Sequence, residues 1–367
     1  MNVLAVMPTY RSSRYSGKVG GGEISNRILL EGLASRGHSV TVCTLNPGHD
    51  QEAYRNGVKV IGTQVPNNES VIGKIYRIKR FKRLIEQTLL SNNMDFVLTG
   101  TYGIKPALFV AGQRGIPVAA FIRAFENFET FNNAVHFFRY IGKRLLYGDS
   151  GISSLKKVDY LLPNSQFMAE VCIRYKLESK IKVVYPALCV NNIIEVKKAH
   201  NVKNIFMVGP SIHKGFHLFK ELANVFPELT FHVVGDSTIH SRSRYKYENL
   251  IFHGWENVVD ILSKEADLLL VPSVCQEAFG RVAVEGLISG TPTLVSNIGG
   301  LPEAVHFESD LLVEPNNKEA WSKAIYDFIE DPYRVFLATK RAQKNLKIFS
   351  LENQVSILEE FMLDIVK

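Results

Sequence analysis

Short runs of aliphatic and β-branched residues recur along the chain, each bounded by turn-forming residues and followed by a stretch of helix length. In the first half they are Asn2–Met7, Ser39–Leu45, Val58–Ile61, Asp95–Leu98, Pro117–Ile122, Tyr160–Leu162 and Lys182–Val184. Several are near-continuously apolar, as strands buried on both faces of a parallel sheet must be. The second half restarts the pattern with Asn204–Val208, Thr230–Val234, Leu250–Phe252, Asp267–Val271, Thr293–Val295 and Leu311–Val313. Strand–helix alternation that begins twice predicts an α/β protein of two doubly wound, Rossmann-like domains. The joint is expected within Pro186 to Lys203, giving a first domain over 1–186 and a second from 187. Strand carboxyl ends collect ligands in such sheets, so the loops after Met7, Leu98, Ile122, Val208, Val234, Phe252 and Val271 are expected to line a cleft between the domains.

Composition agrees with this reading and removes others. The 367 residues suit two domains, and 46% hydrophobic with 22% charged residues is ordinary for a folded globular chain. Cys43, Cys172, Cys189 and Cys275 lie far apart without a Cys-x-x-Cys pair, so neither a disulfide framework nor a zinc knuckle is expected. Met1 leads directly into a strand, and no apolar run approaches eighteen residues, so a cytoplasmic protein is expected.

Charge separates the halves. Residues 1–186 carry 25 Lys and Arg against 13 Asp and Glu, a net +12, while 187–367 carry 18 against 23, a net −5. Six basic residues and no acid fall between Lys74 and Arg83, with Ile75, Ile78, Phe81 and Ile85 at helical spacing. This reads either as the solvated face of a surface helix or as a helix attracted to an anionic membrane surface. No aromatic-interleaved or helix-turn-helix pattern accompanies the charge, so nucleic acid is not the expected partner.

Two constellations carry candidate chemistry. Gly20-Gly21-Gly22 precedes a helical run from Glu23 to Arg36 that Gly37 terminates. Glycines before a helix N-terminus let backbone N–H groups approach a phosphate, although a tight turn alone would also need them. The spacing Gly20-x-Gly22-x-x-Ser25 is not the dinucleotide fingerprint, and Thr44-Leu45-Asn46 after the second strand lacks the acid that would hold a ribose, so no nicotinamide cofactor is expected. The denser constellation runs from Pro272 through Glu277, Gly280 and Glu285 to Gly299-Gly300-Leu301-Pro302-Glu303. A strand there feeds a loop carrying Glu277, a helix starts near Gly280, and Glu285 falls just over one turn inside it, able to accept hydrogen bonds from vicinal hydroxyls. As an isolated pair the two acids read equally as surface charges.

With its flanking motifs, the segment Glu277-Ala278-Phe279-Gly280-Arg281-Val282-Ala283-Val284-Glu285 resembles the Glu-seven-residues-Glu signature of the retaining nucleotide-sugar glycosyltransferases of family 4, which have GT-B architecture. The resemblance spans nearly the whole chain. Gly20-Gly21 and the helix ending Arg36-Gly37-His38-Ser39-Val40 are similar to that family's first strand–helix–strand unit, and Val208-Gly209 with Lys214-Gly215 to its diphosphate-gripping segment. Phe349-Ser350-Leu351-Glu352 resembles the start of its last helix, implying that about 351–367 crosses back onto the first domain. The resemblance implies an acceptor-binding domain over 1–186 and a nucleotide-sugar donor domain over 187–350. Glu277 would contact the transferred sugar, with the backbone of Ala278, Phe279 and Gly280 around it, and Glu285 would bind the ribose. Lys214, with the amides of Gly21, Arg281 and Val282, would hold the diphosphate, Gly20 and Gly209 would also bind the donor, and the backbone around Gly254 and Trp255 would lie beside the base. No Asp-x-Asp motif occurs, so neither metal nor other cofactor is expected.

Two positions depart from the family. The segment Gly209-Pro210-Ser211-Ile212-His213-Lys214 lacks an Arg common there, and Arg123 stands where a His is common. Arg123 cannot take up a proton at physiological pH, but it can bind hydroxyls, a phosphate or an acceptor anion, or serve a structural ion pair. His213 and His217 share a helix face without a third metal ligand, and His38 reads as structural. Phe125, Phe128, Phe131, Phe137, Phe138 and Tyr140, beside Arg139, Lys143 and Arg144, read as a core helix or as a cradle for a lipid-linked acceptor. The expected activity is retaining transfer of a sugar, UDP-linked first, to a glycan or lipid-linked glycan. The alternatives are a nucleotide-sugar epimerase of the same architecture and a non-catalytic sugar-nucleotide binder.

Overall fold

The computed structural model describes residues 1–10, 20–45, 52–63, 71–125, 128, 151–177, 180–197, 201–235 and 244–366. The chain divides into two compact units, Met1–Leu188 with Leu351–Lys367, and Cys189–Ser350.

The first unit holds an eight-stranded sheet: β1 (Asn2–Val6), β2 (Ser39–Thr44), β3 (Glu52–Arg55), β4 (Val58–Gly62), β5 (Phe96–Thr99), β6 (Val118–Ile122), β7 (Tyr160–Pro163) and β8 (Lys180–Ile181), in the order β3-β4-β2-β1-β5-β6-β7-β8. The second holds β9 (Asn204–Val208), β10 (Thr230–Val234), β11 (Arg244–Tyr247), β12 (Leu250–His253), β13 (Leu268–Val271), β14 (Thr293–Ser296) and β15 (Leu312–Val313), in the order β11-β12-β10-β9-β13-β14-β15. All pairings are parallel except β3 with β4 and β11 with β12. Strand order reverses at β1 in one sheet and at β9 in the other. Ligands of doubly wound sheets bind at the carboxyl ends beside such a reversal.

Both sheets are registered by acids placed just before a strand. Asp95 Oδ2 accepts from the Asn2 amide at 2.7 Å, Asp159 Oδ2 from Val118 at 2.9 Å, and Asp267 Oδ2 from Lys203 and Asn204 at 2.9 and 2.8 Å. Each satisfies amide donors at a strand start that the ladder leaves open.

In the first unit Leu29, Leu30 and Leu33 of the helix Gly21–Ser35 pack with β1 and β2 and with Val355, Leu358 and Met362 of the last helix, Leu351–Val366. Gly32 permits that contact, because a Cβ there would meet the Val355 side chain. Polar groups fasten the same helix. Arg36 Nη1 lies 2.7 Å from Glu359 Oε2 while its Nη2 donates to the Glu352 carbonyl and Ser356 Oγ; His38 Nε2 lies 2.6 Å from Glu359 Oε1. The Arg36 hydrogen bond, reinforced by His38, holds the Glu359 carboxyl below its ordinary range. Buried Gln354 accepts from the Tyr185 amide at 2.7 Å.

Three local readings are corrected. The strand expected at Lys182–Val184 is β8 at Lys180–Ile181, although Lys182 and Val184 continue the bonding to Leu161 and Pro163 at 3.0 and 2.9 Å. Two edge strands, β3 and β11, are additional, because their sequences Glu-Ala-Tyr-Arg and Arg-Tyr-Lys-Tyr lack an apolar run. The basic helix spans Val71–Ser91 and buries Phe81, Ile85 and Leu89, while Ile75 and Tyr76 are exposed. Of the aromatic segment after Arg123, Phe125 and Phe128 pack against Phe167 and Tyr175; Phe131, Phe137, Phe138, Arg139, Tyr140, Lys143 and Arg144 lie outside the described residues.

Candidate functional site

In the second unit the loops after β9 and β13 leave the sheet on either side of its reversal. Gly209 turns the chain at φ +79, and Ser211 Oγ accepts from the Lys214 amide at 3.3 Å to close the turn Ile212–Lys214. The Val274 amide donates to the His213 carbonyl at 3.1 Å, and Gly215 leaves no room for a Cβ against the Pro272 carbonyl. The two loops are thereby tied, and Lys214 Nζ reaches Glu277 Oε2 at 3.0 Å. Ser273 Oγ donates to the other oxygen, Glu277 Oε1.

The Glu277 loop is seated on the turn after β14. The Gly300 amide donates to the Glu277 carbonyl at 2.8 Å, and a Cβ at Gly299 would stand 2.6 Å from that same oxygen. Phe279 is buried, edge-on to Phe349 with ring centroids 5.1 Å apart. Gly280, at φ +103, carries the chain into the helix Arg281–Ile288 through a conformation that suits glycine. Arg281 Nη2 lies 3.2 Å from Glu285 Oε1. The four charged side chains are 33% (Lys214), 16% (Glu277), 20% (Arg281) and 18% (Glu285) exposed, so solvent screens their charges only in part. Gly254 accepts from the Gly235 amide at 3.0 Å, and Trp255 is exposed.

In the first unit the loops after β1, β5 and β6 and the start of the helix Gly21–Ser35 line a cavity of about 390 Å³ that includes Gly20, Gly21, Asn26, Thr101 and Arg123. Arg123 Nε donates to Asn26 Oδ1 at 2.9 Å and Nη1 to the Val184 carbonyl at 2.6 Å; its guanidinium lies 4.6 Å over the Phe121 ring. Gly22 leaves room for it, since a Cβ there would meet Arg123 Cβ at 3.0 Å.

Two family models cover the two halves. Glycosyltransferase Family 4 matches residues 19–190, and Glycosyl transferases group 1 matches residues 191–347. The chain is a GT-B glycosyltransferase resembling family 4. It is 26% identical over 331 residues to an uncharacterized 42.6 kDa protein in the cps region of Klebsiella pneumoniae, spanning 83% of this chain and 87% of that one. Its fold matches sucrose-phosphate synthase from Thermosynechococcus elongatus with a TM-score of 0.77 at 16% identity, covering 100% and 99% of the two chains. It also matches Anabaena Alr3699/HepE in complex with UDP, TM-score 0.70 at 17% identity, covering 99% and 100%.

Of the residues singled out in this glycosyltransferase, the structure brings Lys214, Glu277, Ala278, Phe279 and Gly280 into one tied set and pairs Arg281 with Glu285. Gly20, Gly21 and Arg123 share a cavity in the other unit. His38 serves the last helix through Glu359, and His213 Nδ1 lies 3.4 Å from Cys275 Sγ. No group of three metal-ligating side chains occurs among the described residues. Asn26 and Ser273 escaped the sequence reading. Their signals were Asn26 one helical turn beyond Gly22, and Ser273 four residues before Glu277.

Proposed function

We propose that this glycosyltransferase transfers a sugar from a nucleotide diphosphate sugar to a glycan or lipid-linked glycan during polysaccharide or lipopolysaccharide synthesis, with retention of configuration. The observation that carries this reading is the Lys214–Glu277 pair, held by two loops at the strand reversal of the second sheet and next to the start of the helix Arg281–Ile288. Lys214 and the amides of Arg281 and Val282 neutralise the diphosphate as it leaves, because an ammonium and oriented N–H groups stabilise developing negative charge best when held in advance. Glu277, with Ala278, Phe279 and Gly280, contacts the transferred sugar, Glu285 the ribose, and Gly209 gives the diphosphate close backbone approach. Gly254 and Trp255 lie beside the base. Uridine is the first choice of base, supported by the Anabaena neighbour described with UDP, and the cps-region relative supports a polysaccharide product.

In the first unit Gly20 and Gly21 offer backbone N–H groups to a phosphate oxygen, and Arg123 binds acceptor or sugar oxygens in its cavity. An acceptor hydroxyl oxygen bonds to the anomeric carbon as that carbon's bond to the diphosphate oxygen breaks, and the hydroxyl proton passes to the departing phosphate. No metal takes part, so activity persists in EDTA. The exposed Ile75 and Tyr76 on the basic helix Val71–Ser91 support peripheral attachment to an anionic membrane; failure to float with anionic vesicles at low salt would remove that element.

The decisive experiment incubates the protein with UDP-, GDP- and ADP-sugars, with and without capsular or lipid-linked acceptors. The reading expects a retained glycosidic product only when acceptor is present. Conversion of donor alone would indicate an epimerase, and nucleotide binding without turnover on any acceptor would indicate a binding protein.

A further inference from the structure

Arg281 occupies the first position of the helix Arg281–Ile288, where the positive end of the helix dipole disfavours a cation. Its partner four residues on is Glu285, and a cation preceding an acid at this spacing is the weaker order for a helix. Both side chains are largely buried, at 20% and 18% exposed, so solvent does little to relieve that mismatch. Nor can the helix start slide to carry the charge outward. Gly280 enters it at φ +103 against the Leu301 side chain, and the preceding loop is bonded to Gly300. Lys214 and Glu277 repeat the arrangement 3.0 Å apart. The site thus holds two cations and two acids of zero formal sum, one of them set against local helix preference. A local rule broken at a rigid position points to a constraint other than stability.

We infer that the Arg281 guanidinium is a second diphosphate ligand beside Lys214, and that both ion pairs exchange partners when donor binds. This inference rests on the nucleotide-sugar reading above. A nucleoside diphosphate brings non-bridging oxygens that match the planar fork of an arginine. When Lys214 and Arg281 turn to those oxygens, Glu277 and Glu285 are released to accept hydrogen bonds from sugar and ribose hydroxyls. The acids keep the cations in place until the dianion arrives, and the site is not left with uncompensated buried charge in either state. A nucleoside without phosphates offers Arg281 no reason to leave Glu285.

The test is calorimetry of the full-length protein and of Arg281→Gln and Arg281→Lys with uridine, guanosine and adenosine, each as nucleoside and as diphosphate. For the base that binds, Arg281→Gln weakens diphosphate affinity about tenfold to a hundredfold, the range for losing a hydrogen bond to a charged group, and leaves nucleoside affinity within about threefold. Arg281→Lys recovers part of the loss, and the salt dependence of diphosphate binding becomes shallower in Arg281→Gln. The thermal midpoint of Arg281→Gln stays within about 2 °C of the parent, because the pair removed was poorly placed for helix stability. Unchanged diphosphate affinity overturns the inference, as does an equal loss for nucleoside and diphosphate with a large drop in midpoint, which would make Arg281 structural. If the parent protein binds none of the three diphosphates, the nucleotide-sugar reading fails and the inference with it.

Discussion

Apart from the extra edge strand β8, the two units share one sheet topology, and they use their strand reversals differently. In the second, the loops beside the reversal and the helix that follows carry opposite charges 3.0 to 3.2 Å apart, and glycine contacts too close for any side chain pin those loops together. In the first, the cavity at the reversal holds an arginine fastened by two neutral acceptors, an amide oxygen and a backbone carbonyl. Both acceptors fix the plane of Arg123. One frame therefore supports a site of close ion pairs and a site with an oriented guanidinium. The first arrangement suits a ligand whose charge develops during reaction, and the second suits recognition.

The largest test of that contrast compares the two cations. Lys214→Ala is expected to lower turnover by about two to three orders of magnitude at saturating donor, the scale for losing one preorganised anion-stabilising donor. Arg123→Ala should act mainly through KM, by about tenfold, as loss of a contact made equally before and during reaction does. Steady-state kinetics on both variants decides it. If Arg123→Ala lowers kcat as far as Lys214→Ala does, the division between reacting and recognising sites is wrong.

Glycine substitutions give the next largest effects. A Cβ on Gly299, at φ +63, would stand 2.6 and 2.7 Å from the backbone oxygen and nitrogen of Glu277, and backbone cannot swing aside. Gly299→Ala is expected to destabilise the second unit by about 2 kcal/mol or more and to displace Glu277 from Lys214. The Cβ of Gly22→Ala meets only the Arg123 side chain, Cβ at 3.0 Å and Cγ at 3.5 Å, on a helix where alanine is otherwise preferred. Its stability change should be within about 1 kcal/mol of zero. Thermal melts of the pair, read beside donor affinity, measure how differently the two sites are braced.

Those differences also explain what could be read from the chain beforehand. Parallel buried strands such as Leu268–Val271 and Val118–Ile122 announce themselves as apolar runs, and both sheets were legible from them. The polar edge strands were not, although Asn56-Gly57, with φ of +48 and +81 between β3 and β4, is a tight-hairpin signal in plain view. In the second unit the motif residues Glu277 and Gly280 lie close in sequence, so a linear pattern exposes them, and the ammonium of Lys214 completes the set through one loop contact. Asn26 and Arg123 lie 97 positions apart. Their contact follows from β1 and β6 flanking β5, a tertiary fact with no local signature.

Acidification gives the smallest and most discriminating comparison. In the second unit His306 stacks on Phe349 at 5.2 Å, and burial pushes its pKa below the ordinary 6.5, partly countered by Glu308. In the first, Arg36 and then His38 hold Glu359 below its ordinary 4.5 against the opposing effect of burial. In both cases the unfolded chain binds the proton more tightly than the folded one, so stability rises with pH across each window. The His306 contribution is complete above pH 6.5 and is lost as pH falls through its lowered folded value; that of Glu359 is complete above pH 4.5 and is lost only further into acid. Hydrogen exchange between pH 7 and 4 should therefore show the turn around His306 and Phe307 loosening before the helix Leu351–Val366. His306→Phe should remove the earlier loosening, and Glu359→Gln should weaken the last helix already at pH 7. A last helix that keeps its protection as pH falls well below 4 would mean that Glu359 is not what fastens it, and that Val355, Leu358 and Met362 hold it by packing alone.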